Sequence, residues 1–275
     1  MTVVVARPLV ELADRLRTRG ELVGVEITGP GWIDLPVTGV TIDSRRVRPG
    51  DCFVAIAGAV SDGHDHAADA VAAGAVACLV ERPLATIGVP QLVVRGSRPS
   101  AAIAASWVNG DPSAGLGVIG ITGTDGKTTT AWLVRAMLEA CGIATGLVGT
   151  IDTIVGGRSL GNPGRATTPE APELQGHLAA MRDAGDAWAV VETTSHGLAL
   201  DRVLDVAYDV GVFTNLTSEH LELHGTIEAY RAAKQRLFEH LAPPPGFPAK
   251  PWGRTAVLNA DDPASVPFEI GRAHV

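Results

Sequence analysis

Short apolar runs alternate with helical patterns along the whole 275-residue chain. In its first part, "GVTIDSRRV" and "CFVAIAG" read as strands on either side of the turn "RPGD", and an alanine-rich helix follows from about residue 67 to 73, where Gly74 closes it. "AVACLVE" and "QLVVR" read as further strands, and "SRPSAAIAASWVNG" as a helix. The segment "GDPSAGLG" is small, polar and rich in turn formers, which predicts a linker. Beyond it, "GVIGIT", "ATGLVGT", "AWAVVET" and "VGVFTNL" are short apolar runs separated by helical stretches, the signature of a mostly parallel sheet covered by helices on both faces. "PPPGFPAKPWG" reads as a loop and "TAVLNADDP" as one more strand. The pattern predicts an α/β protein of two units, residues 1–112 and 113–268, with no internal repeat.

Composition narrows the classes of function. Hydrophobic residues make up 46% of the chain, yet no run approaches the ~20 apolar residues that span a bilayer, and the start "MTVVVARPLVELADRLRTRG" turns charged too soon for a secretory signal. A soluble cytoplasmic protein, with no membrane partner, is expected. The formal charge of -8 and the lack of a basic cluster argue against nucleic acid as a partner. Cys52, Cys78 and Cys141 form no CxxC pair, so neither a disulfide framework nor a cysteine-rich zinc site is indicated. "DGHDHAADA" offers His64, Asp65 and His66 as metal ligands, but adjacent side chains diverge and the stretch reads more simply as a helix start.

The stretch with the most chemistry is "VIGITGTDGKTTTAW". A glycine-rich loop that leaves a strand and opens a helix presents backbone N–H groups and the positive helix end to an anion, and its glycines let the backbone approach closely. A helix terminus contributes only ~0.3 to 1 kcal/mol per exposed charge, so a nucleotide triphosphate needs more. Lys127 supplies a point charge, and the Thr128 hydroxyl can ligate a Mg2+ ion bridging the phosphates of ATP. The general phosphate-loop pattern is met imperfectly, since Ile121 stands where its first glycine belongs. Glu192 ends the apolar run "AWAVV", at the carboxyl edge of a parallel sheet where ligands bind in such folds.

The shortened loop, Gly123, Thr124, Asp125, Gly126, Lys127, Thr128 and then Thr129, resembles that of the Mur ligases, ATP-dependent amide-forming enzymes of cell-wall and folate metabolism. "VTIDSRRVRPGDCFVAIAG", "ATTPEAPELQ", "VETTSHGLALDRV", "FTNLTSEHLELHGTIEAYRAAKQRLFE" and "LNADDP" match further family motifs in order, over about residues 38–263. The resemblance is strongest to the branch that adds the third amino acid to the peptidoglycan stem peptide. It implies an N-terminal UDP-substrate domain and a central ATP-binding domain, with ATP and Mg2+ as cofactors and a UDP-N-acetylmuramoyl peptide and a free amino acid as partners.

By the same resemblance, Glu192, His220 and Lys234 are metal ligands alongside Thr128, and Lys234 is the lysine that the family carbamylates. Without the family, Lys234 reads as a solvated residue on an amphipathic helix. Asn259 falls in the adenine-side motif; Ser44 and Arg45 match residues near the uridine diphosphate; Thr167, Thr168, Thr194 and Arg202 match positions that hold the muramoyl peptide. His196 and His224 occupy motif positions with less definite roles. Ser44 and Thr168 equally suit turn or cap positions. Asp125 stands where asparagine is usual, placing a negative charge in the loop or capping the helix; Glu219 replaces aspartate, and Thr193 and Thr194 replace valine and serine.

The resemblance also implies a third, amino-acid-binding domain beyond this chain, and hence a fragment inactive by itself. The terminal "EIGRAHV", Glu269 to Val275, matches the conceptual translation of a common sequencing adapter and is expected to be non-native. A folylpolyglutamate-synthase-like or other Mur enzyme, and a non-catalytic nucleotide-binding protein, are the alternatives.

Overall fold

The computed structural model describes residues 5–26, 32–58, 61–85, 87–217 and 224–268. His220, Glu219 and the terminal heptapeptide lie outside the described residues. The chain divides into two compact units, Met1–Gly110 and Asp111–Val275.

In the first unit, β1 (Arg7–Pro8) leads into α1 (Leu9–Thr18), followed by β2 (Leu22–Glu26), β3 (Pro36–Val37), β4 (Gly39–Thr41), β5 (Asp51–Val54), α2 (Ala67–Ala72), β6 (Ala77–Val80), β7 (Gln91–Val94) and α3 (Ser97–Val108). A five-stranded sheet runs in the order β2-β7-β6-β5-β4, parallel except for β2. The side chains alternate as a pleated strand requires. Cys52 and Val54 face a core built from α1 and α3 through Leu12, Leu16, Ile103 and Trp107, whereas Phe53 and Cys78 face the helix α2. The turn expected at "RPGD" is present, closed by the Asp51 N–H on the Arg48 carbonyl at 3.0 Å, but it ends a crossover. β4 and β5 pair in parallel, Thr41 opposite Phe53, and Ser44–Arg46 forms a 3-10 turn between them. The connection is shorter than the dozen or more residues usual between parallel strands.

The second unit runs β8 (Gly117–Thr122), α4 (Lys127–Ala140), β9 (Thr145–Val148), β10 (Thr153–Val155), β11 (Arg158–Ser159), α5 (Ala171–Ala184), β12 (Trp188–Glu192), α6 (Ser195–Ala199), β13 (Val210–Phe213), α7 (Ile227–Glu239) and β14 (Thr255–Leu258). Its seven-stranded sheet has the order β11-β10-β9-β12-β8-β13-β14. The five strands from β9 to β14 in that order are parallel, and β10 and β11 add an antiparallel edge. From β8 the chain goes to one side for β9 and β12, and to the other for β13 and β14. A crevice therefore opens at the carboxyl end of β8, where the direction of winding reverses. β8 is buried along its whole length, as a central strand covered on both faces must be.

The boundary between the units falls within the expected linker, after Gly110, and the rest of that segment packs into this unit. Pro112–Ala114 forms a 3-10 turn whose Pro112 and Ser113 are buried, and the Ser113 hydroxyl accepts the Ala207 N–H at 3.0 Å. Small polar residues signal a turn, but do not tell a free turn from one packed against a core. Among the described residues no helix is long and apolar enough to cross a membrane.

Candidate functional site

Four strand ends converge on the crevice: β8 at Thr122, β9 at Val148, β12 at Glu192 and β13 at Phe213. Between β8 and α4 the chain turns through Gly123 at φ +150° and Gly126 at φ +78°, so the loop needs backbone angles that residues with a Cβ rarely adopt. It is fastened from the β13 side: Thr124 N–H donates to the Asn215 carbonyl at 2.8 Å, Asp125 N–H to Asn215 Oδ1 at 2.9 Å, and Thr214 Oγ1 to the Asp125 carbonyl at 2.7 Å. From α7, Lys234 Nζ donates to the Gly123 carbonyl at 2.6 Å, and Tyr230 OH lies 3.2 Å from Thr124 Oγ1. The loop is thus held by main-chain and buried side-chain groups, while α4 receives no side-chain cap at Gly126. The capping role considered for Asp125 is not realised, because Gly126 itself occupies the cap position.

Lys127 opens α4, and its Nζ donates to the carbonyls of Gly123 and Thr124 at 2.9 and 2.8 Å. The ammonium lies over the loop. The first N–H groups of a helix have no partner within it, and α4 starts here at the loop, the arrangement in which helix starts bind anions.

Glu192 is fully buried, and three neutral donors meet its carboxylate: Thr128 Oγ1 at 2.7 Å, Thr150 Oγ1 at 3.0 Å and Thr150 N–H at 3.0 Å. Gly149 makes this approach possible, since a Cβ there would stand 2.2 Å from Glu192 Oε1. Among the described residues no lysine, arginine or histidine pairs with Glu192. A buried carboxylate ringed by hydroxyls is a set of hard oxygen donors, which suits Mg2+ completed by phosphate oxygens and water. No group of three or more His, Cys, Asp or Glu side chains able to hold a metal occurs among the described residues. Mg2+ does not need such a cage, because it is commonly held by one or two carboxylates together with the substrate's phosphates.

Thr150 links this node to the second wall. Its hydroxyl lies 2.9 Å from Thr167 Oγ1, and the Asn162 side-chain amide donates to the carbonyls of Gly149 and Thr150 at 3.0 Å and of Ala166 at 3.2 Å. Thr168 Oγ1 donates to the Glu192 carbonyl at 2.8 Å and accepts the Thr194 N–H at 2.9 Å. Thr194 caps α6 through the Gly197 N–H at 3.0 Å, so its hydroxyl serves the helix as well as facing the crevice. Arg202 donates to the Thr168 carbonyl at 2.9 Å and pairs with Glu170 at 2.7 Å.

The loop and this wall share one cavity of about 450 Å³, lined by Thr124 to Thr129, Thr150, Ala166, Thr167, Thr168, Thr194, His196 and Arg202. Residues named separately from the nucleotide and peptide motifs therefore face the same space. Thr150 is the member that the sequence did not single out; its only signal was a hydroxyl just beyond a strand end.

The remaining candidates lie elsewhere. Asn259 donates to the Thr214 carbonyl at 2.8 Å, in contact with the loop's support but not with the cavity. Lys234 is 1% exposed, with Nζ 4.3 Å from the Tyr230 ring centre, and the expectation of a solvated residue is wrong: α7 turns that face inward onto the loop. His224 packs between His196 and Tyr230, with ring centres 5.7 and 5.2 Å away. Ser44 and Arg45 belong to the first unit. Arg45 there bonds both carboxylate oxygens of Asp43 at 2.8 Å, and these bonds hold the Asp43 carboxyl below the usual carboxylate range. His64 is buried between Asp62 and the Glu81 N–H, a structural role in accord with the helix-start reading.

Comparison with known proteins assigns the chain to one family. The Mur ligase middle domain matches residues 121–272, and the Mur ligase family catalytic domain matches residues 36–106. The UDP-N-acetylmuramyl-tripeptide synthetase of Roseiflexus sp. (strain RS-1) is 46% identical over 82% of this chain and 46% of its own length. The UDP-N-acetylmuramoyl-L-alanyl-D-glutamate--2,6-diaminopimelate ligase of Chlorobium phaeobacteroides (strain DSM 266 / SMG 266 / 2430) is 43% identical over 92% of this chain and 47% of its own. A solved structure of a ligase of the latter name superposes with a TM-score of 0.72 at 28% identity, covering 88% of this chain and 47% of that one. The chain spans about half the length of these relatives. With the middle-domain match alone extending over more than half of its residues, the chain belongs to the Mur ligase family.

Proposed function

We propose that the protein is an ATP-dependent amide ligase of peptidoglycan precursor synthesis, which activates the carboxylate of a UDP-N-acetylmuramoyl dipeptide and joins it to a free amino acid. The observation that carries this reading is the shared cavity: a phosphate loop with Lys127 and a wall of Thr167, Thr168, Thr194 and Arg202 line it, and the buried Glu192 lies behind its Thr128, 2.7 Å from that hydroxyl. The tripeptide-synthetase and ligase names of the relatives supply the substrate class.

In this reading a carboxylate oxygen of the peptide attacks the γ-phosphorus of ATP, the bond to the β-γ bridging oxygen breaks, and ADP leaves. The amino acid's amine then attacks the acyl carbon; an amide forms, a proton is lost from nitrogen, and inorganic phosphate departs. Joining two anions is mainly a matter of positioning and charge neutralisation. The N–H groups at the start of α4 and the Lys127 ammonium hold the phosphates, while Arg202 and the threonine hydroxyls orient the carboxylate-bearing peptide. Thr128 and Glu192, with His220 and, once carbamylated, Lys234 as the resemblance implies, would hold Mg2+, which when bound neutralises charge on the phosphates.

Calorimetric titration with ATP and Mg2+ tests the nucleotide half. Lys127→Ala should weaken binding by about tenfold or more, equivalent to at least about 1.4 kcal/mol. In the full gene product, phosphate release should require ATP, the UDP-linked dipeptide and an amino acid together. Unchanged affinity in the alanine variant, or phosphate release without an amide product, would overturn the assignment.

A further inference from the structure

Arg236 stands outside the cavity, yet everything it grips leads to Arg202. It projects from α7 toward α6, donates from Nη1 to the Leu198 carbonyl in the last turn of that helix, and pairs through Nη2 with the Asp201 carboxylate. Both partners are largely withdrawn from water, with side chains 31% and 23% exposed.

Asp201 has φ +55°, the left-handed region, and apart from glycines only Asp111 and Arg165 share positive φ among the described residues. Aspartate tolerates this conformation better than most side chains but still at a cost, so it persists where surrounding contacts hold it. Arg236 supplies such a hold at two points, one on the carboxylate and one on the carbonyl three residues earlier. The backbone sense at residue 201 decides in which direction the chain leaves α6. Arg202 comes next: its N–H returns to the Gly197 carbonyl at 2.9 Å, and its guanidinium reaches the Thr168 carbonyl and Glu170 at the cavity wall. Arg202 Nε is buried and makes no hydrogen bond, so this arginine still has a donor to offer. A right-handed residue 201 would redirect the Cα–Cβ bond of Arg202 and break this set of contacts.

We propose that Arg236 is a positioning residue for the acidic, UDP-linked peptide substrate, locking the left-handed turn at Asp201 from which Arg202 reaches the cavity. The inference rests on the ligase reading, because it assigns Arg202 to that substrate. It separates Arg236 from Lys234 and Tyr230 on the same helix, which touch the phosphate loop: loss of Arg236 should be felt by the peptide substrate and not by ATP.

The test uses the chain with two probes, UDP-N-acetylmuramoyl-L-alanyl-D-glutamate and ATP with Mg2+, each titrated calorimetrically. Arg236→Met keeps most of the aliphatic packing and removes both polar contacts. It should weaken the dipeptide by about tenfold while ATP stays within about twofold, and Arg236→Lys, which retains a cation and donors, should recover part of the loss. Hydrogen exchange should rise at residues 198–204 and remain unchanged at 121–128. Equal weakening of both probes, or no change in either, would overturn the proposal, since Arg236 would then be a general helix contact or dispensable. If Arg236→Met does not fold, the lysine variant decides: weakening confined to the dipeptide supports the proposal, and unaltered dipeptide affinity overturns it. If the unaltered chain binds ATP but not the dipeptide, the ligase reading itself fails and takes this inference with it.

Discussion

At Gly123 a Cβ would stand 1.9 Å from Thr214 Oγ1 and 3.1 Å from both the N and the O of Asn215, and φ is +150°. At Gly126 φ is also positive, +78°, but a Cβ would meet nothing within 4 Å. The two glycines of one loop should therefore respond differently to alanine. Gly123→Ala adds a clash with the β13 support to its own positive-φ penalty and should reduce ATP affinity by about a hundredfold or more, whereas Gly126→Ala carries only the left-handed penalty of about 1–2 kcal/mol, at most about thirtyfold. Titration of both variants checks the order, and a larger loss at Gly126 would contradict it. Lys127, Thr128 and Glu192 were legible in the sequence because each marks the boundary of a strand or helix where a motif and a periodicity agree. Lys234 was not, since the face a helix buries depends on which element it packs against. Thr150 was silent, one threonine among many until a fold brought it to Glu192.

Among the elements, α7 packs against α6 and holds the phosphate loop through Lys234, and its C-terminal cap, His240, makes the helix sensitive to acid. Burial, reinforced by the neighbouring Arg236 cation and opposed by Asp201, lowers His240 to about 4 from an ordinary 6.5. Its Nδ1 is buried without a hydrogen bond, so a proton gained there would have no acceptor to receive it. Between those two values the unfolded chain binds a proton that the folded chain refuses, so folding weakens as pH falls from about 6.5 to about 4, by up to about 3 kcal/mol, and changes no further below. Melting curves across this window should show the slope in the unaltered protein and a shallower one in His240→Phe; equal slopes would mean that His240 is not the group responsible. The strands β4 to β9 and β12 to β14 were legible as apolar runs, but not their partners, and β1 to β3 were not read at all. Nothing in "IDSRRVRPGD" tells a hairpin from a short parallel crossover, and the antiparallel β10–β11 edge carries too few residues for alternation to show.

For the molecule as a whole, the loop before β14 shows how far an irregular segment can hold a unit together. Lys250 Nζ reaches the Leu116 and Ala207 carbonyls at 2.7 and 2.9 Å and Asp209 Oδ2 at 2.6 Å, and Asp209 in turn accepts the Val118 N–H at 2.8 Å. One ammonium, 2% exposed, thus ties the loop to the start of β8 and β13. Read from sequence, "PPPGFPAKPWG" is only a loop, because proline and glycine report backbone angles and say nothing of a side chain's burial. Lys250→Met leaves the fully buried Asp209 uncompensated and should cost about 3–5 kcal/mol, read as a fall in the denaturant midpoint. A shift below about 1 kcal/mol would show the pair to be replaceable by packing. The Asn162 amide that joins the Thr150 and Thr167 loops has a consequence on a much longer timescale. An asparagine deamidates when the next main-chain nitrogen attacks its side chain; Pro163 has no N–H and blocks that ring closure, whereas Asn109 precedes Gly110, which has no side chain in the way although its N–H donates to the Trp107 carbonyl at 3.0 Å. Protein stored for weeks at mildly alkaline pH should accumulate aspartate and isoaspartate at residue 109 while residue 162 remains an amide, so chemical ageing would mark the end of α3 and spare the crevice.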